Sequence, residues 1–150
     1  MQEFGGAKLI LFIGDRIVVL RRDDKPDIPW PCRLDLPGGG REGCETAIEC
    51  VLRETFEEIG LSLTAGDLVW EDQFRRGVFF AAHLPTEAQA QIVFGSEGQG
   101  WCLVDPAEYV RDPEAIPHFA EMVQRYLALL WQIFADLIFT GFTRDVLGDS

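Results

Sequence analysis

The sequence has few of the residues that would suggest a disulfide-bonded extracellular protein or a zinc protein. Its 150 residues include two histidines and four cysteines, Cys32, Cys44, Cys50 and Cys102. No Cys-x-x-Cys pair or mixed cysteine and histidine cluster is present, which argues against a zinc site. The first residues, Met1–Gly6, are short and polar and do not resemble a secretory leader. Scattered thiols without a leader predict a protein of the reducing cytoplasm.

Basic residues are also scarce. The chain has 13 lysines and arginines against 25 acidic residues, for a net charge of −12. An acidic surface repels nucleic-acid backbones and anionic membranes, so neither a nucleic acid polymer nor a membrane is an expected partner. A small phosphorylated ligand remains compatible with this charge if metal ions neutralise the local carboxylates. The composition therefore favours a small-molecule ligand.

A hydrophobic run long enough to span a membrane is not found either. The most apolar stretch, Leu127–Phe142, has 16 residues and includes Asp136, whereas a spanning helix needs about 20 apolar residues. We expect this stretch to be part of a long helix, Ile116–Phe139, that is buried or forms an interface. Its apolar residues extend beyond one helical face, so a homodimer contact is one hypothesis and ordinary core packing is the other.

Hydrophobic residues make up 47% of the chain and aromatic residues 11%, enough for one core, and we expect residues 1–150 to form a single domain. Short apolar runs predict strands, and one early and one late segment have helical periodicity. This order predicts an α/β (α+β) fold, with a mixed sheet packed between helices. The predicted strands are Ala7–Ile13, Arg16–Leu20, Leu34–Leu36, Asp67–Leu84 as one bent strand or hairpin, Gln91–Phe94 and Gly100–Val104.

The early helix contains the most informative pattern in the chain. Residues 39–61 have the sequence GGREGCETAIECVLRETFEEIGL, and we expect a helix from about Cys44 to Ile59 that ends at Gly60. Glu54, Glu57 and Glu58 have the i, i+3, i+4 spacing that gathers side chains on one helical face. Three close carboxylates repel one another unless a hard cation such as Mg²⁺ binds between them. The spacing alone leaves open a solvated acidic surface.

The same segment resembles the signature of the Nudix hydrolase family. The matching positions are Gly39, Glu45, Arg53, Glu54, Glu57, Glu58, Gly60 and Leu61. The departure is Thr55, which stands where the family has an apolar residue and which we expect to pack like one. The resemblance implies a Nudix-type α/β/α sandwich and a Mg²⁺-dependent enzyme, with Mn²⁺ as a substitute ion.

Roles for individual residues follow from this resemblance. The family places the metal ions on the box glutamates Glu54, Glu57 and Glu58, and adds the carbonyl of the residue before the box glycine, here Gly38. Many members supply a further glutamate from a later loop, for which Glu97 is the candidate. The resemblance assigns the catalytic roles to Glu54, Glu57 and Glu97, with Glu54 or Glu97 taking the proton of water. Gly39, Glu45 and Arg53 would support and orient these groups.

The substrate is less constrained by the sequence. Arginine side chains suit phosphate oxygens, and Arg21, Arg22 and Arg41 are the candidates for substrate binding. The family hydrolyses nucleoside diphosphate derivatives, and the subfamily residues typical of dinucleoside polyphosphate and ADP-ribose enzymes are missing, which favours nucleoside triphosphates. Two alternatives stay open: an ADP-ribose or nucleotide-sugar pyrophosphatase, and a non-catalytic nucleotide-sensing domain. The intact box glutamates argue against the sensor.

Overall fold

Seven strands and three helices account for most of the chain in the computed structural model, which describes residues 3–147 and their side chains as far as residue 141. The strands are β1 (Gly6–Ile13), β2 (Arg16–Arg21), β3 (Leu34–Asp35), β4 (Gly38–Gly40), β5 (Trp70–Phe74), β6 (Gly77–Leu84) and β7 (Gly100–Val104). The helices are α1 (Ala47–Ile59), α2 (Pro106–Arg111) and α3 (Pro117–Leu147).

The strands form one mixed sheet in the order β3-β2-β1-β6-β5, with β4 paired to β1 and β7 paired to β2. Strands β1 and β6 are parallel, and the other pairs are antiparallel. The predicted strands Ala7–Ile13 and Arg16–Leu20 are confirmed, and they form a hairpin, because β1 and β2 pair across the turn at Gly14-Asp15 with Ile13 opposite Arg16.

Hydrophobic side chains cover both faces of the sheet. Successive residues of a strand point to opposite faces, so Leu9 and Leu11 of β1 pack with α1, whereas Ile10 and Phe12 pack with α2 and α3. The predicted α/β class, a mixed sheet between helices, is therefore confirmed.

Helix α1 begins at Ala47, later than predicted, because Thr46 and Glu49 form a reciprocal capping box that sets the first turn. Gly60 ends the helix as predicted, in the left-handed conformation with φ of 70°. Ile48 lies on the exposed side of the helix and is 38% exposed. The buried positions of the helix are Ala47, Cys50, Val51, Thr55 and Ile59.

Two short segments differ from the sequence prediction. Gly38–Gly40, which is not among the predicted strands, forms β4 against the first residues of β1. Residues 91–94 were expected as a strand, but they follow a 3₁₀ turn and lie along the end of α1. The N–H groups of Val93 and Gly95 donate to the carbonyls of Ile59 and Glu58. This segment therefore satisfies carbonyls that a helix end leaves without partners, instead of joining the sheet.

Candidate active site

The glycine strand β4 lies directly against the acidic face of α1. A Cβ atom at Gly39 would lie 2.6 Å from the carboxylate of Glu54, so only glycine lets that carboxylate approach the backbone. At Gly38, which has a φ of 126°, a side chain would overlap the carbonyl of Ala7. The N–H of Gly38 donates to Glu58 Oε1 at 3.0 Å. The box glycines thus allow contact between the loop and two of the predicted metal ligands.

Arg53 connects the other predicted residues of the box. Its Nε and Nη2 atoms donate to the two carboxylate oxygens of Glu45 at 3.0 and 2.7 Å, and Nη2 also donates to the carbonyl of Gly40 at 3.0 Å. Its Nη1 atom bonds Glu54 at 2.8 Å and Glu57 at 3.2 Å. The hydrogen bonds from Arg53 lower the pKa of Glu45 to about 2, so that carboxylate stays ionised at neutral pH.

Glu58 has the opposite electrostatic environment. Burial of its side chain raises its pKa to about 8, although Lys8 and the N–H of Gly38 act in the other direction. A carboxyl group with a pKa this high is mostly protonated at neutral pH. A divalent cation beside it would favour the ionised form, because its positive charge replaces the stabilisation by water that burial removes.

The loop that carries Glu97 is held next to these glutamates. Gly95 lies so close to the end of α1 that a side chain there would overlap the carbonyl of Glu57. Two residues later, the exposed Glu97 lines a cavity of about 280 Å³ together with Ser96 and the three box glutamates, Glu54, Glu57 and Glu58. The predicted catalytic and metal-binding side chains are therefore brought to one cleft.

A larger cavity, of about 460 Å³, adjoins this cleft and shares Glu54, Glu58 and Glu97 with it. It is also lined by the glycines of β4 and by basic side chains, among them Lys8 and Arg22. Carboxylates that suit a divalent cation and cations that suit phosphate oxygens thus line one cavity.

Two residues of this cavity, Lys8 and Asp35, were missed by sequence reasoning. Asp35 is 5% exposed, and its carboxylate is paired with Lys8 and with Arg22, each at 2.9 Å. Lys8 Nζ also donates to the carbonyl of Gly38 at 2.9 Å. The lysine within the apolar run of β1 could have indicated this ion pair, because a lysine in a mostly buried strand needs an oppositely charged or hydrogen-bonding partner.

The three predicted arginines differ in position. Arg22 and Arg21 line the larger cavity, although Arg21 also bonds Glu114 at 2.6 Å. Arg41 is not among the lining residues of the described cavities. Its guanidinium stacks over Phe4, 4.6 Å from the ring centre, and donates to the carbonyl of Glu45 at 3.0 Å. The structure therefore brings two of the three arginines to the cleft.

A second cavity, of about 400 Å³, shares Lys8, Arg22, Gly39 and Gly40 with the larger one. Rings line it: Phe74, Phe79, His118 and Phe119. The rings of Phe74 and His118 are stacked with centroids 6.0 Å apart, and Phe119 lies edge-on to His118 at 4.5 Å. Burial and the nearby Arg75 lower the pKa of His118, which keeps its ring neutral at pH 7. This cavity can accept a flat aromatic group.

The donor set of the cleft fits a divalent cation, although its side chains do not converge as they stand. Among residues 3–147, no three acidic, histidine or cysteine side chains are close enough together to hold an ion, because Arg53 and Gly38 take the carboxylate oxygens. Oxygen donors on one helical turn, with a glycine backbone that leaves room beside Glu54, suit Mg²⁺ once these side chains turn toward it.

Comparison with known proteins gives one family and several similar structures. The family model described as NUDIX domain matches residues 5–126. Among solved structures, a MutT protein from Methanosarcina mazei has a TM-score of 0.63 at 20% identity, covering 84% of this chain and 96% of that one. An Ap4A hydrolase from C. elegans has a TM-score of 0.63 at 16% identity, covering 85% and 97%. The dihydroneopterin triphosphate pyrophosphohydrolase of E. coli has a TM-score of 0.61 at 19% identity, covering 83% and 97%. No curated protein matches the sequence.

Proposed function

The chain belongs to the NUDIX domain family and is a hydrolase of pyrophosphate bonds, and from this premise we propose that it hydrolyses nucleoside triphosphates to the monophosphate and pyrophosphate. The proposal depends on one observation. The acidic cleft of Glu54, Glu57, Glu58 and Glu97 adjoins a cavity with basic walls, and that cavity shares a wall with the aromatic one.

The order of these compartments suits a nucleotide. Cations beside the central cavity, Lys8 and Arg22, suit the phosphate chain, and the rings of Phe74, His118 and Phe119 suit the base. In the described residues one aromatic cavity adjoins the central cavity, whereas a dinucleoside polyphosphate would need a site for a second base. A nucleoside with one terminal polyphosphate chain therefore fits the arrangement better than a dinucleotide.

The cleft residues would hold Mg²⁺, or Mn²⁺ in its place, through the carboxylates of Glu54, Glu57, Glu58 and Glu97 and the carbonyl of Gly38. Bound there, such ions lower the pKa of a water molecule and neutralise the charge that develops on the phosphate oxygens. The chain itself must position these ligands. Arg53 and Glu45 do so by fixing the loop to the helix, and Gly39 does so by leaving space for Glu54.

The reaction requires a base for one proton. A water oxygen forms a bond to phosphorus, the bridging P–O bond breaks, and the electron pair leaves with the pyrophosphate oxygen. The water proton passes to a carboxylate, for which Glu54 and Glu97 are the candidates, since both line the larger cavity. Lys8 and Arg22, which also line this cavity, stabilise the negative charge of the phosphate chain.

Two further properties are proposed, the domain organisation and the location in the cell. We infer a single domain, because the buried side chains on both faces of the sheet come from the same strands β1 and β2. We also infer a cytoplasmic enzyme, because the thiols of Cys32, Cys44, Cys50 and Cys102 are all free.

A nucleotide panel tests the proposed reaction. Nucleoside triphosphates, ADP-ribose, a nucleotide sugar and a dinucleoside polyphosphate are incubated with the protein, with Mg²⁺ or with EDTA, and the products are identified by chromatography. The variant Glu57→Gln serves as a matched control, because it keeps the size and the fold but removes one proposed ligand charge.

Metal-dependent release of pyrophosphate from a triphosphate, reduced by orders of magnitude in Glu57→Gln, is the expected result. Preference for ADP-ribose or a nucleotide sugar would instead support the second substrate class. Binding of nucleotides without hydrolysis at any Mg²⁺ or Mn²⁺ concentration would indicate a sensing domain and overturn the proposal.

A further inference from the structure

Helix α3 continues well beyond the conserved domain. The family match ends at Tyr126, but α3 is a helix of 31 residues that ends at Leu147. Tyr126 is buried in the core. With a rise of 1.5 Å per residue, the part of α3 after Leu130 is about 25 Å long. This part is an addition to the domain that the family shares.

One apolar stripe runs along the helix from the core into solvent. Residues at alternating spacings of four and three stay on one helical face. The residues with this spacing are Ile116, Ala120, Val123, Leu127, Leu130, Phe134 and Leu137. The first three are buried, the next two are partly buried against the core, and Phe134 and Leu137 are exposed. The face that covers the sheet therefore continues past the edge of the domain with nothing beneath it among the described residues.

The exposed part of the stripe is broad. Trp131 and Ile138 flank it and are 71% and 55% exposed, and the rings of Trp131 and Phe134 stack with centroids 5.7 Å apart. The side of the helix opposite the stripe is mixed, since the amide of Gln132 donates to Asp136 at 3.0 Å and the side chain of Phe139 is 73% exposed. Over this length the described residues leave the apolar stripe uncovered.

The geometry points to a second copy of this chain as the partner of that face, so that the protein is a dimer paired through α3. A repeat of four and three residues is the spacing with which two helices pack along a seam, and a twofold axis lets one surface bind its own copy. The exposed side chains of Trp131, Phe134, Leu137 and Ile138 present on the order of 500 Å² per chain, so a pair buries about 1,000 Å², the lower limit of a specific interface.

The charge distribution favours self-association over a membrane. The chain has a net charge of −12, which opposes binding to an anionic bilayer. Residues 127–141 include a single ionisable side chain, Asp136, which lies on the side away from the stripe. By length and composition Pro117–Gly141 could cross a membrane, with a mean hydropathy of 1.2. However, Met122, Val123 and Tyr126 are buried in the core, and the apolar run Leu127–Phe142 has 16 residues, fewer than the roughly 20 that a span needs.

The pairing is tested by mass in solution. Light scattering coupled to size-exclusion chromatography is run at about 5 and 100 μM on the full chain and on two variants. Leu137→Glu lies on the stripe, and Gln132→Glu lies on the opposite side of the helix. Both variants add one negative charge at an exposed helical position, and far-UV circular dichroism checks that each is folded. Sedimentation with zwitterionic phosphatidylcholine vesicles is measured in parallel.

We expect twice the mass of one chain for the full protein and for Gln132→Glu. For Leu137→Glu we expect the mass of one chain at 5 μM, because the substitution should raise the dissociation constant of the dimer at least tenfold. A monomeric full protein at 100 μM would overturn the pairing, as would a dimer that Leu137→Glu leaves unchanged. A monomer that sediments with vesicles would assign the face to a lipid surface instead.

Discussion

Both carboxylate oxygens of Glu45 accept hydrogen bonds from one guanidinium group, that of Arg53, at 3.0 Å from Nε and 2.7 Å from Nη2. The same guanidinium donates to Glu54 and to the carbonyl of Gly40. It therefore joins strand β4, the loop before the helix and the proposed metal ligand through one planar group. Arginine alone among the basic side chains has donors in this geometry.

Replacing this arginine tests whether its geometry or its charge matters. Arg53→Lys keeps the charge, but one ammonium group cannot bond Glu45 with two parallel hydrogen bonds. We expect kcat to fall about 10- to 100-fold, as for other residues that orient metal ligands. Steady-state kinetics at saturating Mg²⁺ measures this effect. The exposed Arg16→Lys is the control, and a kcat for Arg53→Lys within twofold of the unchanged protein would contradict the role.

Gly39 and Gly40 offer a matched pair for the space beside Glu54. A methyl group at Gly39 would lie 2.6 Å from the Glu54 carboxylate, whereas at Gly40 the nearest atom is 4.0 Å away. We expect Gly39→Ala to weaken Mg²⁺ binding and to lower kcat at least tenfold, because Glu54 must turn away. Gly40→Ala should have little effect. Mg²⁺ titrations of activity measure both, and equal effects of the two substitutions would refute the space requirement.

The raised pKa of Glu58 predicts how the free energy of unfolding depends on pH in the absence of metal. Its pKa in the folded protein is raised to about 8 from an ordinary value of 4.5. Between these values the folded chain keeps a proton that the unfolded chain has lost, so the free energy of unfolding falls as pH rises from about 5 to 8, by up to about 1.4 kcal/mol per pH unit. Urea denaturation in EDTA across this range measures the slope.

The matched variant for this prediction is Glu58→Gln, which cannot titrate. It should lose this part of the pH dependence, whereas the exposed Glu87→Gln should keep it. Added Mg²⁺ should oppose the trend, because it binds the ionised carboxylate and stabilises the folded state more at higher pH. The same slope in the unchanged protein and in Glu58→Gln would show that another group is responsible.

Phe74 tests the aromatic cavity as the binding site of the base. Stacking of a base on an aromatic ring contributes about 1–3 kcal/mol, and this interaction does not change during attack on phosphorus. Phe74→Ala should therefore raise KM about tenfold and leave kcat nearly unchanged. Phe56, exposed on α1, provides the control Phe56→Ala. A loss confined to kcat would place Phe74 outside the base site.

The buried hydroxyl group of Thr55 lowers the stability of the folded protein, and a single substitution can remove it. Its side chain is fully buried, and its hydroxyl has no hydrogen-bond partner in the described part of the chain. A buried hydroxyl without a partner is destabilising, so Thr55→Val should raise the free energy of unfolding by about 1 kcal/mol. Thr55→Ser keeps the hydroxyl and loses a methyl group, so it should be less stable. Chemical denaturation of both variants decides the matter, and a destabilised Thr55→Val would disprove the interpretation.

Features set by short-range spacing were determined by the sequence itself. The i, i+3, i+4 spacing of Glu54, Glu57 and Glu58 puts them on one side of a helix whatever surrounds it, and Gly60 ends that helix because its backbone reaches the left-handed conformation without strain. The hairpin at Gly14-Asp15 is local in the same sense. Each of these predictions required only the geometry of neighbouring peptide units.

Contacts between distant segments were decided by the tertiary structure. Lys8 and Asp35 are 27 residues apart, and they pair because β1 and β3 flank β2 in one sheet. Glu97 reaches the cleft because Val93 and Gly95 bond the end of α1 instead of forming the predicted strand. Arg41 stacks on Phe4 beside β4, although its position in the sequence suggested the substrate. The physical reason is that strand order and helix-end hydrogen bonds are settled by packing of the whole sheet, and no local spacing encodes them.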